Sequence, residues 1–251
     1  MWTATAQCLM IAAPAASPLV AAGVAYGTFA PTSRFWGPNI CRGAAGHPPR
    51  IALTFDDGPT PGFTDAIIDT LDELKAPATF FVIGANASRH AELVGRAHAA
   101  GHLIGNHSTD HAHYGIMRAG RYWREQIRHT DELVEQITGL RPALFRPPMG
   151  MKTWHVARAS ARTGHTLVTW TRRAWDGVPT TSQKILQRLV PRTQAGDILM
   201  LHDGIEPHSG HSPTATVAAL GSLIRGLRGR GLQIVHLSEL IGVPAYAPRS
   251  I

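Results

Sequence analysis

Cysteine is nearly absent from the 251-residue chain, with Cys8 and Cys41 alone, which excludes a disulfide framework and a thiolate-built metal centre. Lysine is scarce too. Only Lys75, Lys152 and Lys184 stand among the 24 basic residues, the rest being arginine, and no run of five basic residues occurs. The net charge of +7 draws the protein toward anionic surfaces, but no nucleic-acid-binding motif accompanies it, so no nucleic-acid partner is expected. Glycine (25) and proline (18) are plentiful but follow no collagen period, so they read as turns. A hydrophobic share of 44% suffices for a full core, which excludes disorder and predicts one globular domain with an appendage.

Charge is missing altogether from Cys8 to Ala30, a stretch long enough for a membrane span of roughly 20 residues. Pro14 and Pro18 interrupt it, and no basic residue precedes it as a secretory signal would require. The stretch either associates with a membrane or packs as an Ala-rich hairpin or helix on the domain. We divide the chain into a hydrophobic N-terminal extension, 1–46, a candidate membrane anchor, and a catalytic domain, 47–251. The expected location is membrane-associated, and the preference for Arg over Lys together with abundant Ala points to a bacterium.

From residue 51 onward, short apolar runs alternate with segments of helical period. Strands are predicted at Ile51–Phe55, Thr79–Ile83, His102–Gly105, Leu144–Arg146, Thr166–Trp170, Ile198–Leu201 and Gln233–His236. Helices are predicted over Thr64–Leu74, Ser88–Ala100, Arg121–Thr138, His155–Arg162, Ser182–Leu189 and Thr214–Arg230. Seven such repeats imply an α/β fold, a parallel sheet with helices outside that closes as a barrel short of eight strands. In such folds chemistry sits at the C-terminal ends of the strands. Asp56-Asp57, Asn106-His107, Arg146 and His202-Asp203 all fall there.

These residues form a coherent set. His107 and His111 stand four apart, which on a helical turn places two imidazoles on one face, suited to a transition metal. Asp57 supplies an oxygen ligand, and two His with one carboxylate leave a coordination position open, as in catalytic sites. A dication on Asp57 relieves its repulsion with Asp56 and leaves Asp56 as a base. His202, following the apolar Ile198–Leu201, stands on the same rim and is placed to protonate a leaving group.

Over residues 50–240 the chain resembles the polysaccharide deacetylase family, carbohydrate esterase family four. Thr54-Phe55-Asp56-Asp57-Gly58 looks like its first motif and His107-Ser108-Thr109-Asp110-His111 like its second. Arg146-Pro147-Pro148-Met149-Gly150 resembles the third and Leu201-His202-Asp203 the fifth. The fourth departs. The family pattern of Asp, two residues, then Asp-Trp meets Arg173-Ala174-Trp175-Asp176-Gly177 here, so Asp176 matches the later Asp and Arg173 replaces the earlier one.

The resemblance implies a distorted (β/α)7-type barrel and one divalent transition metal, Zn2+, on Asp57, His107 and His111. It further implies that Asp56 is the general base, that Arg146 holds Asp56, and that His202 is the general acid, oriented by Asp176. Substrate contacts would come from Pro148 or Met149, from an aromatic wall displaced to Trp175 or Trp170, and from Leu201 lining an acetyl pocket. The implied activity is metal-dependent removal of N-acetyl groups from amino sugars of a cell-envelope glycan, oligosaccharide or glycolipid. Two rival expectations are hydrolysis of a non-sugar cyclic or linear amide on the same fold, and a non-catalytic glycan-binding envelope protein.

Overall fold

The computed structural model describes residues 18–207 and 210–248. Residues 8–17 of the uncharged stretch lie outside the described residues. A first helix, α1 (Pro18–Phe29), precedes the alternating part. Then follow β1 (Arg50–Asp56), α2 (Thr64–Glu73), β2 (Ala78–Val82), α3 (Gly84–Arg89), α4 (Ala91–Ala99) and β3 (Leu103–Asn106). The middle of the chain gives α5 (Gly120–Thr138), β4 (Leu144–Phe145), α6 (Trp154–Arg162), β5 (Thr166–Leu167) and β6 (Arg172–Arg173). The last third gives α7 (Ser182–Leu189), β7 (Ile198–His202), α8 (Thr214–Gly229), β8 (Gln233–Ile234) and α9 (Leu237–Ile241).

All the strands run parallel in one curled sheet ordered β5-β4-β3-β2-β1-β7-β6, with β8 on the first residues of β1. The distorted barrel expected from the sequence is therefore present. Residue alternation along the strands sorts two cores. Leu53, Phe55, Leu199 and Leu201 face the helices, joining Ile67, Leu71, Leu220 and Ile224. Ala52, Phe81, Trp170, Ile198 and Met200 fill the barrel interior. Each fully buried Leu, Ile or Phe contributes about 1.5–3 kcal/mol, and this two-sided burial holds the sheet between its layers.

The structure departs from the sequence pattern in three places. The helix expected over 88–100 breaks at His90 into α3 and α4. The break lets α3 serve the site, because Gly84 N and Ala85 N donate to the carbonyls of Ser108 and Thr109 at 2.9 and 2.8 Å. β6 was not predicted, since Arg172–Arg173 is two residues long and carries no apolar signal. α9 is a five-residue helix, too short to show a period.

The extension is tied into the barrel. Ile40 bridges Val168 and Arg42 bridges Asp197, so residues 39–42 fill the opening between the sheet's two ends. Farther up, the Lys152 ammonium donates to the carbonyls of Ala30 (2.9 Å), Gly150 (3.3 Å) and Pro31 (3.4 Å), and Lys152 N donates to Thr28 O at 3.0 Å. α1 spans 12 residues, about 18 Å at helical rise, and among the described residues no helix is long and apolar enough to cross a membrane.

Burial without a carboxylate partner pulls the Lys152 amine down from 10.5 to about 8. Above that value the folded protein releases a proton that the unfolded chain keeps until about 10.5, so the unfolded state binds more protons and stability rises with pH across this window. Lys152→Met removes the titration. Wild type should therefore gain on the order of 1–3 kcal/mol relative to this variant between pH 7 and 10, measured by urea unfolding. A pH-independent difference would contradict the assignment.

Candidate active site

The site grows from the ends of β1 and β7, which interlock. Asp57 leaves β1 in a left-handed conformation (φ 74°), and Gly58 follows because a side chain there would meet the Asp203 carboxylate, 2.0 Å from its Oδ2. From the other side, a Cβ on Gly204 would lie 2.3 Å from the Asp57 carbonyl carbon. Asn86 of α3 donates to that carbonyl at 2.7 Å. Backbone strain at Asp57 is thus held by neighbours on two elements, the segment after β7 and α3.

Arg146 lies fully buried beneath. Its Nη1 donates to Asp56 Oδ1 at 2.6 Å and to Thr54 Oγ1 at 2.8 Å, and its Nη2 donates to Thr169 O at 3.2 Å. The guanidinium sits 4.1 Å from the Phe81 ring centroid. Asp56 is therefore held through Oδ1 with Oδ2 left toward the cavity, the arrangement expected of a positioned base.

The imidazole pair is brought together, but not by a helix. His107 and His111 lie in the loop after β3, where Ser108 (φ 67°) and His111 (φ 51°) are both left-handed, and their rings stand 4.9 Å apart. The helical turn inferred from the four-residue spacing is corrected to a strained loop. It is braced by Gln126, whose Oε1 accepts from Thr109 N at 2.9 Å and Asp110 N at 3.0 Å.

Hydrogen bonding assigns the ring nitrogens. His107 Nδ1 meets the carbonyl of Arg146 at 2.7 Å and His111 Nδ1 meets Glu206 Oε1 at 3.1 Å, both acceptors, so each Nδ1 carries the proton. Both Nε2 atoms then turn lone pairs toward Asp57 Oδ1, each at 3.4 Å, and that buried oxygen has no hydrogen-bond partner. Three electron-pair donors converging in a buried space call for a cation, and the set fits a divalent ion. Burial opposes charge on Asp57, but with no metal bound, positive charge on the surrounding imidazoles, His111, His107 and His202, outweighs it and holds its carboxyl well below the usual carboxylate range.

His202 stands across from them, its Nε2 3.8 Å from Asp57 Oδ2. Asp176 grips it twice, through Nδ1 and the backbone N, each at 2.9 Å, and Thr216 Oγ1 donates to Asp176 Oδ2 at 2.5 Å. Burial would lower the imidazole pKa, but Asp176, with Asp57 and Asp56 behind it, raises it from 6.5 to about 10. Asp203 shows the opposite imbalance, since burial and the two aspartates push its carboxyl up to about 7.

These groups line a cavity of about 380 Å³ whose outer walls are Met149, Trp170, Arg173, Trp175 and Val178. Two expected contacts fall elsewhere. Pro148 and Leu201 are buried and do not line it. Strand alternation explains Leu201, because Met200 and His202 face the cavity and Leu201 between them faces the helices. Gly177 occupies the fourth motif's Trp position, packed against His202, while Trp175 reaches the wall from a left-handed residue (φ 59°).

Residues 43–168 match the family model for polysaccharide deacetylase. The chain is also 35% identical over 197 residues to a peptidoglycan-N-acetylglucosamine deacetylase of Bacillus cereus, covering 76% of this chain and 87% of that one. The chain belongs to the polysaccharide deacetylase family. A chitooligosaccharide deacetylase of Sinorhizobium fredii is 35% identical over 200 residues, covering 76% of this chain and 91% of its own. Among solved structures, a peptidoglycan N-acetylglucosamine deacetylase in complex with an N-hydroxybenzamide superposes with a TM-score of 0.77 at 27% identity, covering 83% and 95% of the two chains. A family 4 carbohydrate esterase from Streptomyces lividans, in complex with acetate, gives 0.69 at 28% identity, covering 80% and 97%.

Sequence reasoning missed Glu206, Thr216 and Asn86, each of which touches a motif residue rather than belonging to a motif, and gave no role to Thr54 within the first motif. Glu206 is the most consequential. One carboxylate oxygen takes both His111 Nδ1 and His113 Nε2, at 3.1 and 3.0 Å, and so fixes the ring that presents Nε2 to the ion site. Glu206→Gln should weaken divalent-metal affinity by about 10- to 100-fold in competition with a chelating dye, as losing a ligand's hydrogen-bonding partner does elsewhere. Unchanged affinity would remove Glu206 from that role.

Proposed function

We propose that this deacetylase hydrolyses the acetamide of N-acetylated amino sugars in a cell-envelope glycan, oligosaccharide or glycolipid. The observation that carries the reading is the juxtaposition of Asp56, fixed by Arg146, with its cross-strand neighbour His202, fixed by Asp176, around three converging ligand atoms. Asp57, His107 and His111 would hold the ion. Two imidazoles and one carboxylate favour Zn2+. When bound, the divalent ion supplies Lewis acidity to the acetamide carbonyl and to the attacking water.

The chain's own residues do the proton work. Asp56 Oδ2 accepts a proton as the water oxygen bonds to the carbonyl carbon, while Arg146 keeps Oδ1 occupied. His202 Nε2 gives its proton to the amide nitrogen as the C–N bond breaks, so acetate and the free amino sugar leave. Asp176 supports the imidazolium that does this. Trp175, with the Arg173 guanidinium 3.2 Å from its ring centroid, offers a flat face for a pyranose ring. We also infer a bacterial, membrane-associated setting, supported by the uncharged stretch of residues 8–30 and the exposed apolar side chains of α1.

Asp56→Asn should retain bound metal and lose about 10²- to 10⁴-fold in acetate release from N-acetylglucosamine oligomers. Wild-type rates in that variant, or full activity of the wild type after exhaustive chelation, would overturn the reading. His202→Ala should slow amide substrates far more than activated aryl acetates, whose leaving groups need no proton. An equal loss on both would assign His202 a structural part instead.

A further inference from the structure

Soluble proteins scatter their exposed apolar side chains. Here the large ones are confined to one end of the barrel. Among the residues whose side chains are described, each exposed one lies either in the segment 19–35 or on a loop or helix start just beyond the C-terminal end of a strand. Leu19 is 83% exposed, and Val20, Val24, Tyr26 and Phe29 accompany it on α1, with Phe35 just after. Tyr114 (79%) and Met117 (82%) project after β3, Met149 and Trp154 after β4, and Trp175 and Val178 after β6. The outward faces of α2, α4, α5, α7 and α8 carry none.

The two groups form one surface. The end of α1 is bonded to the loop that carries Met149, through Thr28 O to Lys152 N and through Ala30 O and Pro31 O to the Lys152 ammonium. Pro31 O also accepts from Thr169 Oγ1 at 2.7 Å, one residue before the cavity-lining Trp170. The apolar helix therefore stands beside the mouth of the cavity, on the rim that carries Asp56 and His202.

Chemistry selects the occupant. Leu19, Val20, Val24, Met117 and Val178 are aliphatic, and aliphatic groups have no face on which a pyranose stacks, whereas acyl chains accept them. Arginines border the patch, with Arg158 5.5 Å from the ring centroid of Trp154, Arg173 3.2 Å from that of Trp175 and Arg118 5.8 Å from that of Tyr122. Aromatic rings flanked by guanidinium groups suit the headgroup layer, and a protein of net charge +7 is drawn to anionic lipid. No charged side chain occurs before Arg34.

We propose that the C-terminal rim and α1 together form one lipid-contacting face, so that the cavity opens into the headgroup layer of an anionic membrane. This rests on the deacetylase reading and narrows its substrate to amino sugars carried on a lipid. Such a sugar reaches the cavity from the membrane side, with its acyl or prenyl part outside against Met149 and Val178.

The test uses the full chain with vesicles of phosphatidylcholine, with and without phosphatidylglycerol. Wild type should float with the anionic vesicles, and Tyr114→Ser combined with Met117→Ser should reduce that partition roughly tenfold through lost apolar burial. Brominated acyl chains should quench wild-type tryptophan fluorescence, and Trp154→Phe should remove part of that quenching. The Trp154 arm separates rim contact from anchoring by the N-terminal segment alone. Equal partition of the double variant, quenching indifferent to Trp154→Phe, or capture of the rim by a protein partner in place of lipid would each overturn the proposal. Acetate release from soluble N-acetylglucosamine oligomers should be the same in the double variant as in wild type. Failure of wild type to release acetate from both soluble oligomers and a lipid-carried N-acetylated amino sugar would strike the deacetylase reading, whatever the vesicles show.

Discussion

A guanidinium sealed inside the barrel must be answered on every side, and much of the site is that answer. Removing one partner from a buried ion pair costs about 3–5 kcal/mol, because the remaining charge is left without solvent. Arg146 is met by Asp56, by the Thr54 hydroxyl and by the carbonyls of Val168 and Thr169. Thr54 can accept from it because its own proton goes to Leu199 O at 2.7 Å. β1, β4, β7 and the segment after β5 are thereby fixed around one side chain. The same residue's carbonyl accepts from His107 Nδ1, so the residue that aims the proposed base Asp56 also sets the tautomer of a candidate metal ligand.

Two adjacent aspartates acquire separate tasks from this arrangement. Asp56 keeps the strand's alternation and faces the barrel interior, where Arg146 waits. Asp57 has left the strand in a left-handed conformation, which turns its carboxylate toward the two imidazoles instead. The interlock of Gly58 with Asp203 and of Gly204 with Asp57 makes that turn sterically obligatory. Like charges so close would each raise the other's pKa, and at Asp203 they add to the larger effect of burial in pushing its carboxyl up to about 7. On Asp57 the imidazoles win.

The parts legible in the sequence were those with a period or a motif. Long strands such as β1 and β7 announced themselves by apolar runs, and Asp56, Asp57, His107, His111, Arg146 and His202 by their place at strand ends. What escaped was set by tertiary contact. β6 is a strand only because Arg172 and Arg173 lie beside Leu199 and Met200, and His90 breaks a helix whose first half serves the histidine loop. Glu206 and Thr216 act through partners distant in the chain, 95 and 40 residues away, and no spacing encodes such a pair. Leu201 was read from its motif position, but side-chain direction on a strand follows parity, which seats Met200 at the cavity and Leu201 under the helices.

The altered fourth motif links the chemistry to the surface around it. Gly177 lies so close to His202 that even a Cβ there would come within 3.1 Å of its ring, so a bulky residue at this position would press on that imidazole. The aromatic group is instead carried two residues earlier, on Trp175, where a left-handed backbone turns it outward beside Arg173. The ring lines the cavity yet is half exposed, so it also continues the apolar rim. Asp176, between them, stays buried and keeps both bonds to His202. On the proposed mechanism the support of His202 is therefore retained while the aromatic group offered to the substrate moves toward the barrel's mouth, which is where the proposed lipid-facing rim would act on substrate choice.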